Sequence, residues 1–161
     1  MIRDEMMADI GGTASPWPVL QLVPHDQPMS LLQQVLTVSD KGLVAGVSIE
    51  SDSPFYESDG VPALVAIEYM AQAVAAYAGH LALSAGGKVE LGFLVGTRKY
   101  RSNVAFFASG TQLTVCVKPL LKGDNGLSVF DCRVAAEGIE VSANLNVFEP
   151  EDPAAFLAAG N

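Results

Sequence analysis

The chain has 161 residues, of which half are hydrophobic, and its 18 acidic and 9 basic side chains give a net charge of −9. This length suits one domain with its own core. The negative charge argues against broad binding to nucleic acids or anionic membranes, but it allows a small basic patch that binds an acidic partner. The two cysteines lack Cys-x-x-Cys spacing and the first residues show no signal-peptide pattern. We therefore expect reduced thiols and a cytoplasmic protein.

The first part of the chain contains two strand-like segments after a weakly patterned start. Residues 1–16 are mostly polar and small, which predicts a flexible N-terminal arm. Residues 17–24 are apolar but contain prolines, which predicts an extended or one-turn lead-in. Residues 31–38 and 43–49 have the composition of two strands, and the turn at 40–42 between them predicts a hairpin.

Residues 60–83 predict one long helix. The stretch opens with Gly and Pro, which suit a helix start, and is rich in Ala, Leu and Met for about five turns. Apart from Glu68, Gln72 and His80 it is apolar or aromatic on nearly every face, so we expect a buried helix. These polar side chains and the lack of basic flanks favour a helix inside a domain over a membrane span. A lone carboxylate in such a helix costs free energy unless it is paired or used.

After residue 87 the pattern changes to strands separated by turns. Five segments are rich in β-branched and aromatic residues: 89–95, 98–104, 113–119, 127–135 and 139–148. A hairpin, one long helix and a run of strands predict an α+β fold in which a curved antiparallel sheet wraps the helix. We expect a single domain over residues 17–150 and a C-terminal tail over 151–161.

Three motifs, in this order along the chain, resemble those of the 3-hydroxyacyl-(acyl-carrier-protein) dehydratases. Leu22-Val-Pro-His25-Asp-Gln-Pro28-Met29 is similar to their opening motif, Leu-Leu-Pro-His-Arg-x-Pro-Met/Phe. Glu68-Tyr-Met-Ala-Gln72 resembles their helix motif Glu-Ala-x-Ala-Gln, and Arg98-Lys-Tyr-Arg101 resembles a strand with paired basic residues. The likeness covers about residues 18–148 and is strongest to the dehydratase-like branch associated with aryl-polyene pigment biosynthesis.

The resemblance implies a hotdog fold, in which the sheet wraps one long central helix. It implies a homodimer, or a heterodimer with another hotdog protein, whose two helices lie side by side with the active sites near their interface. The implied substrate is a 3-hydroxyacyl chain, held as a thioester on the phosphopantetheine arm of an acyl carrier protein, which loses water to give a trans-2-enoyl thioester. Neither a metal nor an organic cofactor is implied.

Dehydration of such a thioester needs a base at C2 and an acid at the C3 hydroxyl. Through the resemblance Glu68 is the acid, because a carboxyl group in an apolar cleft stays able to donate a proton near neutrality. The amide of Ala63, at the helix start, is expected to polarise the thioester carbonyl. Gln72 lies one turn beyond Glu68 and either orients Glu68 or a water, or caps polar groups at the dimer contact. Alternatively, Glu68 is a buried carboxylate tied to a neighbour.

The chain differs from the family at the position of the catalytic base. The family histidine stands fourteen residues before the helix glutamate, where this chain has Pro54. His25, in the opening motif, is the candidate base; alternatively it is a turn histidine that bonds to the backbone. His80 is about 18 Å along the helix from Glu68, and we interpret it as structural.

A basic cluster and an apolar strand complete the predicted site. A third of the chain's basic residues lie within four positions: Arg98, Lys99 and Arg101. This concentration favours docking of an acidic carrier protein, or of the phosphate on its arm, over an ordinary solvated strand face. Phe93 and Leu94, in a strand expected beside the helix, are predicted to line the acyl chain.

Three functions are compatible with these residues. The leading hypothesis is a dehydratase that uses Glu68, with His25 as its partner. The second is a catalytically impaired subunit that binds acyl chains or stabilises an active dehydratase, since the family histidine is missing. The third is an acyl thioesterase, in which the same carboxylate activates water. Cys116 and Cys132 fall in strand segments and are predicted to be core residues and not nucleophiles.

Overall fold

The computed structural model describes residues 2–23, 30–89 and 92–150. Its helices are α1 (Ile2–Ile10), α2 (Val19–Leu22) and α3 (Ala66–Ser84), and a 3₁₀ turn, Ala63–Val65, leads into α3. Its strands are β1 (Gln34–Ser39), β2 (Gly42–Ser48), β3 (Val61–Pro62), β4 (Phe93–Ser102), β5 (Phe106–Phe107), β6 (Gln112–Lys122), β7 (Leu127–Ala136) and β8 (Ile139–Phe148).

Six strands form one antiparallel sheet in the order β1-β2-β6-β7-β8-β4, and β3 pairs with β5. The predicted hairpin is confirmed, since β1 and β2 are antiparallel neighbours. The segments predicted as two strands at 89–95 and 98–104 instead contribute to one strand, β4, whose register with β8 shifts twice. Such bulges bend a strand without ending it. Because α3 packs on β2, β6, β7 and β8, the predicted α+β arrangement of one long helix wrapped by an antiparallel sheet is confirmed.

The helix α3 has a buried side and a partly open side. The buried side faces the sheet and contributes six side chains to the central core: Tyr69, Met70, Ala73, Val74, Ala76 and Tyr77. On the other side Ala71 and Ala75 are half-buried, and Leu64, just before the helix, is 64% exposed. The prediction of a helix buried on every face therefore holds for only one side within this chain. Among the described residues, no helix has the length and the apolar character that crossing a bilayer requires.

Residues 2–10 form helix α1, in the segment for which the sequence predicts a flexible arm. Met6 and Ile10, one turn apart, are buried on the convex face of the sheet, opposite α3. Their neighbours there include Val44, Cys116 and Ala135, whose side chains point away from the α3 core because successive strand residues alternate between faces. The sequence pattern did not reveal this helix because charged residues occupy four of its nine positions and weaken the apolar periodicity.

The contact between α2 and α3 depends on Gly79. A Cβ added there would lie 2.0 Å from the backbone carbonyl oxygen of Leu22. In an ordinary helix interior a change from Gly to Ala stabilises by about 1 kcal/mol. We expect Gly79→Ala instead to lower the free energy of unfolding by about 1–3 kcal/mol, because two backbone segments must move apart. Chemical denaturation of the two proteins measures the difference.

Gly96→Ala in β4 is the matched control. Its added Cβ would meet only the Asn146 side chain, at 3.8 Å, which is an ordinary contact. The free energy of unfolding should therefore change by less than about 0.5 kcal/mol. If Gly79→Ala were as stable as the wild type, α2 would not be seated on α3 as described.

Candidate active site

Glu68 is half-buried in the first turn of α3. It precedes Ala71 by three residues and Ala75 by seven, so it shares their partly open side of the helix. The first turn of a helix stabilises a negative charge, because the macrodipole is positive at that end. The fold therefore presents this carboxyl group on the side of α3 that a second molecule could approach.

Gln72 holds the Glu68 carboxyl group from one turn further along. Its side chain is fully buried, and its Oε1 accepts a hydrogen bond of 2.7 Å from the amide of Leu31. Because a backbone N–H can only donate, the Gln72 carbonyl must face Leu31 and its Nε2 must face the carboxyl group. That nitrogen donates to Glu68 Oε1 at 3.1 Å. The contact matches the first of the two roles predicted for Gln72, which is to orient Glu68.

Leu31 connects this hydrogen-bond network to the segment that contains the opening motif. It follows His25 by six residues. Residues 24–29 lie outside the described part of the chain, so the role of His25 as a base stays a prediction. The bond between Leu31 and Gln72 nevertheless fixes the chain just after that segment against the helix that presents Glu68.

The amide of Ala63 is engaged within the chain, which differs from the predicted thioester contact. It donates to the carbonyl oxygen of Ala105 at 2.8 Å. The Ala63 carbonyl in turn accepts a hydrogen bond of 2.8 Å from the Tyr100 hydroxyl, whose pKa is raised by burial, so this hydroxyl remains a donor at neutral pH. A contact between the Ala63 amide and a substrate carbonyl would therefore have to replace the bond to Ala105. The sequence did not predict Tyr100 as a site residue, because only its contact with Ala63 in the folded chain identifies it.

The position of the family histidine is an exposed loop residue, Pro54, between β2 and β3. His80 is the one histidine among residues 2–23, 30–89 and 92–150. Its ring meets that of Trp17 edge to face with centroids 5.4 Å apart, and its Nδ1 lies 3.4 Å from Ser15 Oγ. Burial lowers its pKa. Twelve residues of continuous helix, about 18 Å, separate it from Glu68, so His80 anchors the N-terminal segment and does not act with Glu68.

Phe93 and Leu94 lie at the start of β4, opposite Phe148 and Val147 of β8. This strand is at the edge of the sheet, while the strands on which α3 chiefly packs are β2, β6, β7 and β8. Leu94 is 44% exposed. Lining of an acyl chain by these two residues stays a prediction, and it would require a second subunit against the edge of β4.

The basic cluster lies where β4 is irregular. The register with β8 shifts between Arg98 and Arg101, and Lys99 has a positive φ of 56°, a backbone conformation that is uncommon for residues other than glycine. Lys99 and Arg101 both line a shallow groove of about 460 Å³, together with Ser142, Asn144, Leu120 and the carboxylate of Asp131. The bulge thus brings two cations to one groove, and Arg98 stands opposite Asn144 beside it.

Both cysteines are buried, and neither forms a disulfide. Burial raises the pKa of the Cys116 thiol to about 11 and raises that of Cys132 as well. Since the thiolate is the nucleophilic form, neither is suited to attack a thioester. They belong to the packing on the two faces of the sheet, Cys116 under α1 and Cys132 in the core around α3.

Comparisons with known proteins agree with this geometry. The model of a family described as ApeP-like, ApeP dehydratase, matches residues 17–158. A structure described as the dehydratase heterocomplex ApeI:P from Xenorhabdus doucetiae is 31% identical, with a TM-score of 0.82 over 90% of this chain and 98% of that one. No curated protein sequence matches the chain.

More distant structures share the fold alone. An uncharacterised protein from Pyrococcus horikoshii is 13% identical, with a TM-score of 0.58 over 84% of this chain and 96% of that one. A hypothetical thioesterase from Streptococcus pneumoniae, solved with coenzyme A, is 14% identical, with a TM-score of 0.57 over 71% and 86%. These neighbours and the heterocomplex confirm the hotdog fold. On the match over residues 17–158 and the likeness to the heterocomplex, the chain belongs to the ApeP-like dehydratase family.

Proposed function

We propose that this protein is a dehydratase subunit that removes water from 3-hydroxyacyl thioesters of an acyl carrier protein, with Glu68 as the general acid. The observation that carries the proposal is the bond between Glu68 and the fully buried Gln72. This bond holds one carboxyl group in a defined orientation on an otherwise apolar helix. Membership of the dehydratase family supports the reaction class.

In the proposed reaction a base removes a proton from C2, and the electron pair of that C–H bond forms the C2–C3 double bond. The C3–O bond breaks, and Glu68 donates its proton to the departing hydroxyl, which leaves as water. A positioned acid of this kind contributes roughly 10²–10⁴-fold to the rate. A second subunit on the open side of α3 would cover Glu68 and exclude water from the reacting groups.

His25 is the proposed base within this chain. It belongs to the motif that precedes Leu31, and Leu31 is bonded to the same Gln72 side chain that holds Glu68. An imidazole titrates close to neutral pH, which suits a base that must take a proton from carbon.

The proposed partner is a second hotdog subunit of different sequence. The relative from Xenorhabdus doucetiae is described as a heterocomplex. Two features of this chain support the same arrangement: the partly open side of α3, and the edge strand β4, where Val95 is 61% exposed. Exposed apolar side chains beside a strand edge are typical of a surface that another subunit covers.

The proposed docking site for the carrier protein is the groove that contains Lys99 and Arg101. Carrier proteins are acidic and their arm carries a phosphate, so two convergent cations offer charge complementarity in a chain that is otherwise acidic. Ser142 and Asn144 supply neutral donors in the same groove, while Asp131 limits its positive charge. Arg98 adds a third cation at the rim.

A second function is favoured by one specific observation, the exposed Pro54 at the position of the family histidine. In this alternative the chain is an impaired subunit that stabilises an active dehydratase. The two functions differ in the effect of changing Glu68 within the complex. A stabilising subunit needs its fold and its interface, but it does not need a carboxyl group at that position.

We expect Glu68→Gln to reduce dehydration of a 3-hydroxyacyl carrier protein by at least about 100-fold in kcat, because the amide cannot donate the proton that the leaving hydroxyl needs. The assay follows formation of the conjugated enoyl thioester, with the protein in complex with its partner. Glu137→Gln, at the exposed turn between β7 and β8, is the control and should leave kcat unchanged. Normal turnover by Glu68→Gln, with complex formation intact, would support the stabilising role and exclude Glu68 as the acid.

We expect the double charge reversal Lys99→Glu, Arg101→Glu to raise KM for the carrier-linked substrate by about tenfold and to leave kcat nearly unchanged, because charges at the rim act on encounter. The same variant should lose most of the dependence of kcat/KM on salt concentration. Lys41→Glu, on the turn between β1 and β2, is the matched control. Equal KM values for the double variant and this control would place carrier docking elsewhere.

A further inference from the structure

Residues 2–13 lie outside the region that the family model matches, which begins at residue 17. They nevertheless belong to the folded structure. Met6 and Ile10 of α1 are 4% and 1% exposed because they cover the convex apolar strip formed by Val44, Cys116 and Ala135. This face of the sheet is the one that α3 does not cover, so α1 supplies its only apolar cover among the described residues.

The same segment pairs with the outer edge of β1 at one residue, Val38. Thr13 and Val38 exchange two backbone hydrogen bonds, of 3.3 Å and 2.9 Å, on the side of β1 away from β2. The approach is so close that a Cβ at Gly12 would lie 1.9 Å from the Val38 carbonyl oxygen. A glycine at this position therefore permits the contact, and Val38 offers its hydrogen-bonding groups to this chain and not to another.

Polar contacts hold the segment at three points. Ser39 Oγ donates to the carbonyl oxygen of Ile10 at 2.7 Å, directly before Gly11 and Gly12. Arg3 Nε donates to Thr114 Oγ1 at 3.2 Å, and Lys118 forms an ion pair with Asp9. The ion pair lowers the pKa of Asp9 and raises that of Lys118. These contacts involve β1 and β6, so the segment is fixed along its length.

The other edge of the sheet is treated differently. No described strand pairs with the outer side of β4, and this strand exposes Leu94 and Val95 at 44% and 61%. A sheet with two open edges can pair with further copies at both edges, which gives an open-ended assembly and not a closed dimer. A sheet with one open edge can form only a closed pair through that edge.

We propose that residues 2–13 are an assembly cap, which closes the convex face and the β1 edge so that a second hotdog subunit can pair only along β4. The proposal rests on the proposed dimer but not on the proposed chemistry. The cap blocks a second copy of this chain from pairing at β1. Ile10 holds it against the convex face of the sheet, and Thr13 occupies the edge.

The test compares Ile10→Asp with Ala8→Asp. Both place a new carboxylate on α1, but Ile10 is buried and Ala8 is exposed. Sedimentation velocity over a concentration series measures assembly, and hydrogen exchange at the Val38 amide measures whether the edge is closed. We expect Ile10→Asp to expose this amide, with exchange at least about 100-fold faster, and to form species larger than those of the wild type as concentration rises. Far-UV circular dichroism should change by no more than the loss of the nine-residue α1. Ala8→Asp should behave as the wild type in both measurements.

Two outcomes would overturn the cap. One is a fast-exchanging Val38 amide with unchanged sedimentation, which would make α1 a stabilising element alone. The other is a protected Val38 amide in folded Ile10→Asp, which would show that α1 does not hold the edge closed. If Ile10→Asp fails to fold, Gly12→Ala provides the same comparison, because its Cβ would lie 1.9 Å from the Val38 carbonyl oxygen and would push the segment off β1 without a change in the core. No substrate is needed, so a failed cap and a failed dehydratase assignment are distinguishable.

Discussion

The candidate site depends on the hydrogen bonds of one buried amide, that of Gln72. It is fully enclosed by the core, and both of its polar atoms have partners, Leu31 on one side and Glu68 on the other. A buried amide that loses a partner costs about 1–3 kcal/mol, so the two bonds are maintained together. The consequence is that the orientation of the Glu68 carboxyl group is coupled to the path of the chain that follows the N-terminal motif.

The helix that carries Gln72 also determines where another molecule can approach. Its buried side is fixed by the strands that pack on it, so its remaining side is the one left half-covered, with small residues such as Ala71 and Ala75 that permit close approach of another helix. Glu68 lies on this same side. The proposed site would be completed from outside the chain, by a subunit such as the one in the relative that is described as a heterocomplex.

Much of this could be predicted from local pattern, and the differences arise from tertiary contacts. The long helix, the hairpin and the last three strands follow from periodicity and turn residues, and Glu68 stood out as a carboxylate in an apolar stretch. The helix α1 could not be predicted in this way, since only its contact with the sheet makes it stable. Likewise the bond from the Ala63 amide to Ala105, 42 residues away, has no local signal. Bulges allowed β4 to continue through what looked like two strands.

The most direct measurement of the central claim is a crystal structure of the protein with its partner and a carrier protein that bears an unreactive 3-hydroxyacyl amide. The distance to determine is that between the Glu68 carboxyl oxygen and the oxygen on C3. If Glu68 is the acid, this distance is about 2.6–3.2 Å, within reach of a hydrogen bond, with Gln72 still bonded to the carboxyl group. A C3 oxygen held by a carboxyl group of the partner, with Glu68 more than about 6 Å away, would contradict the account.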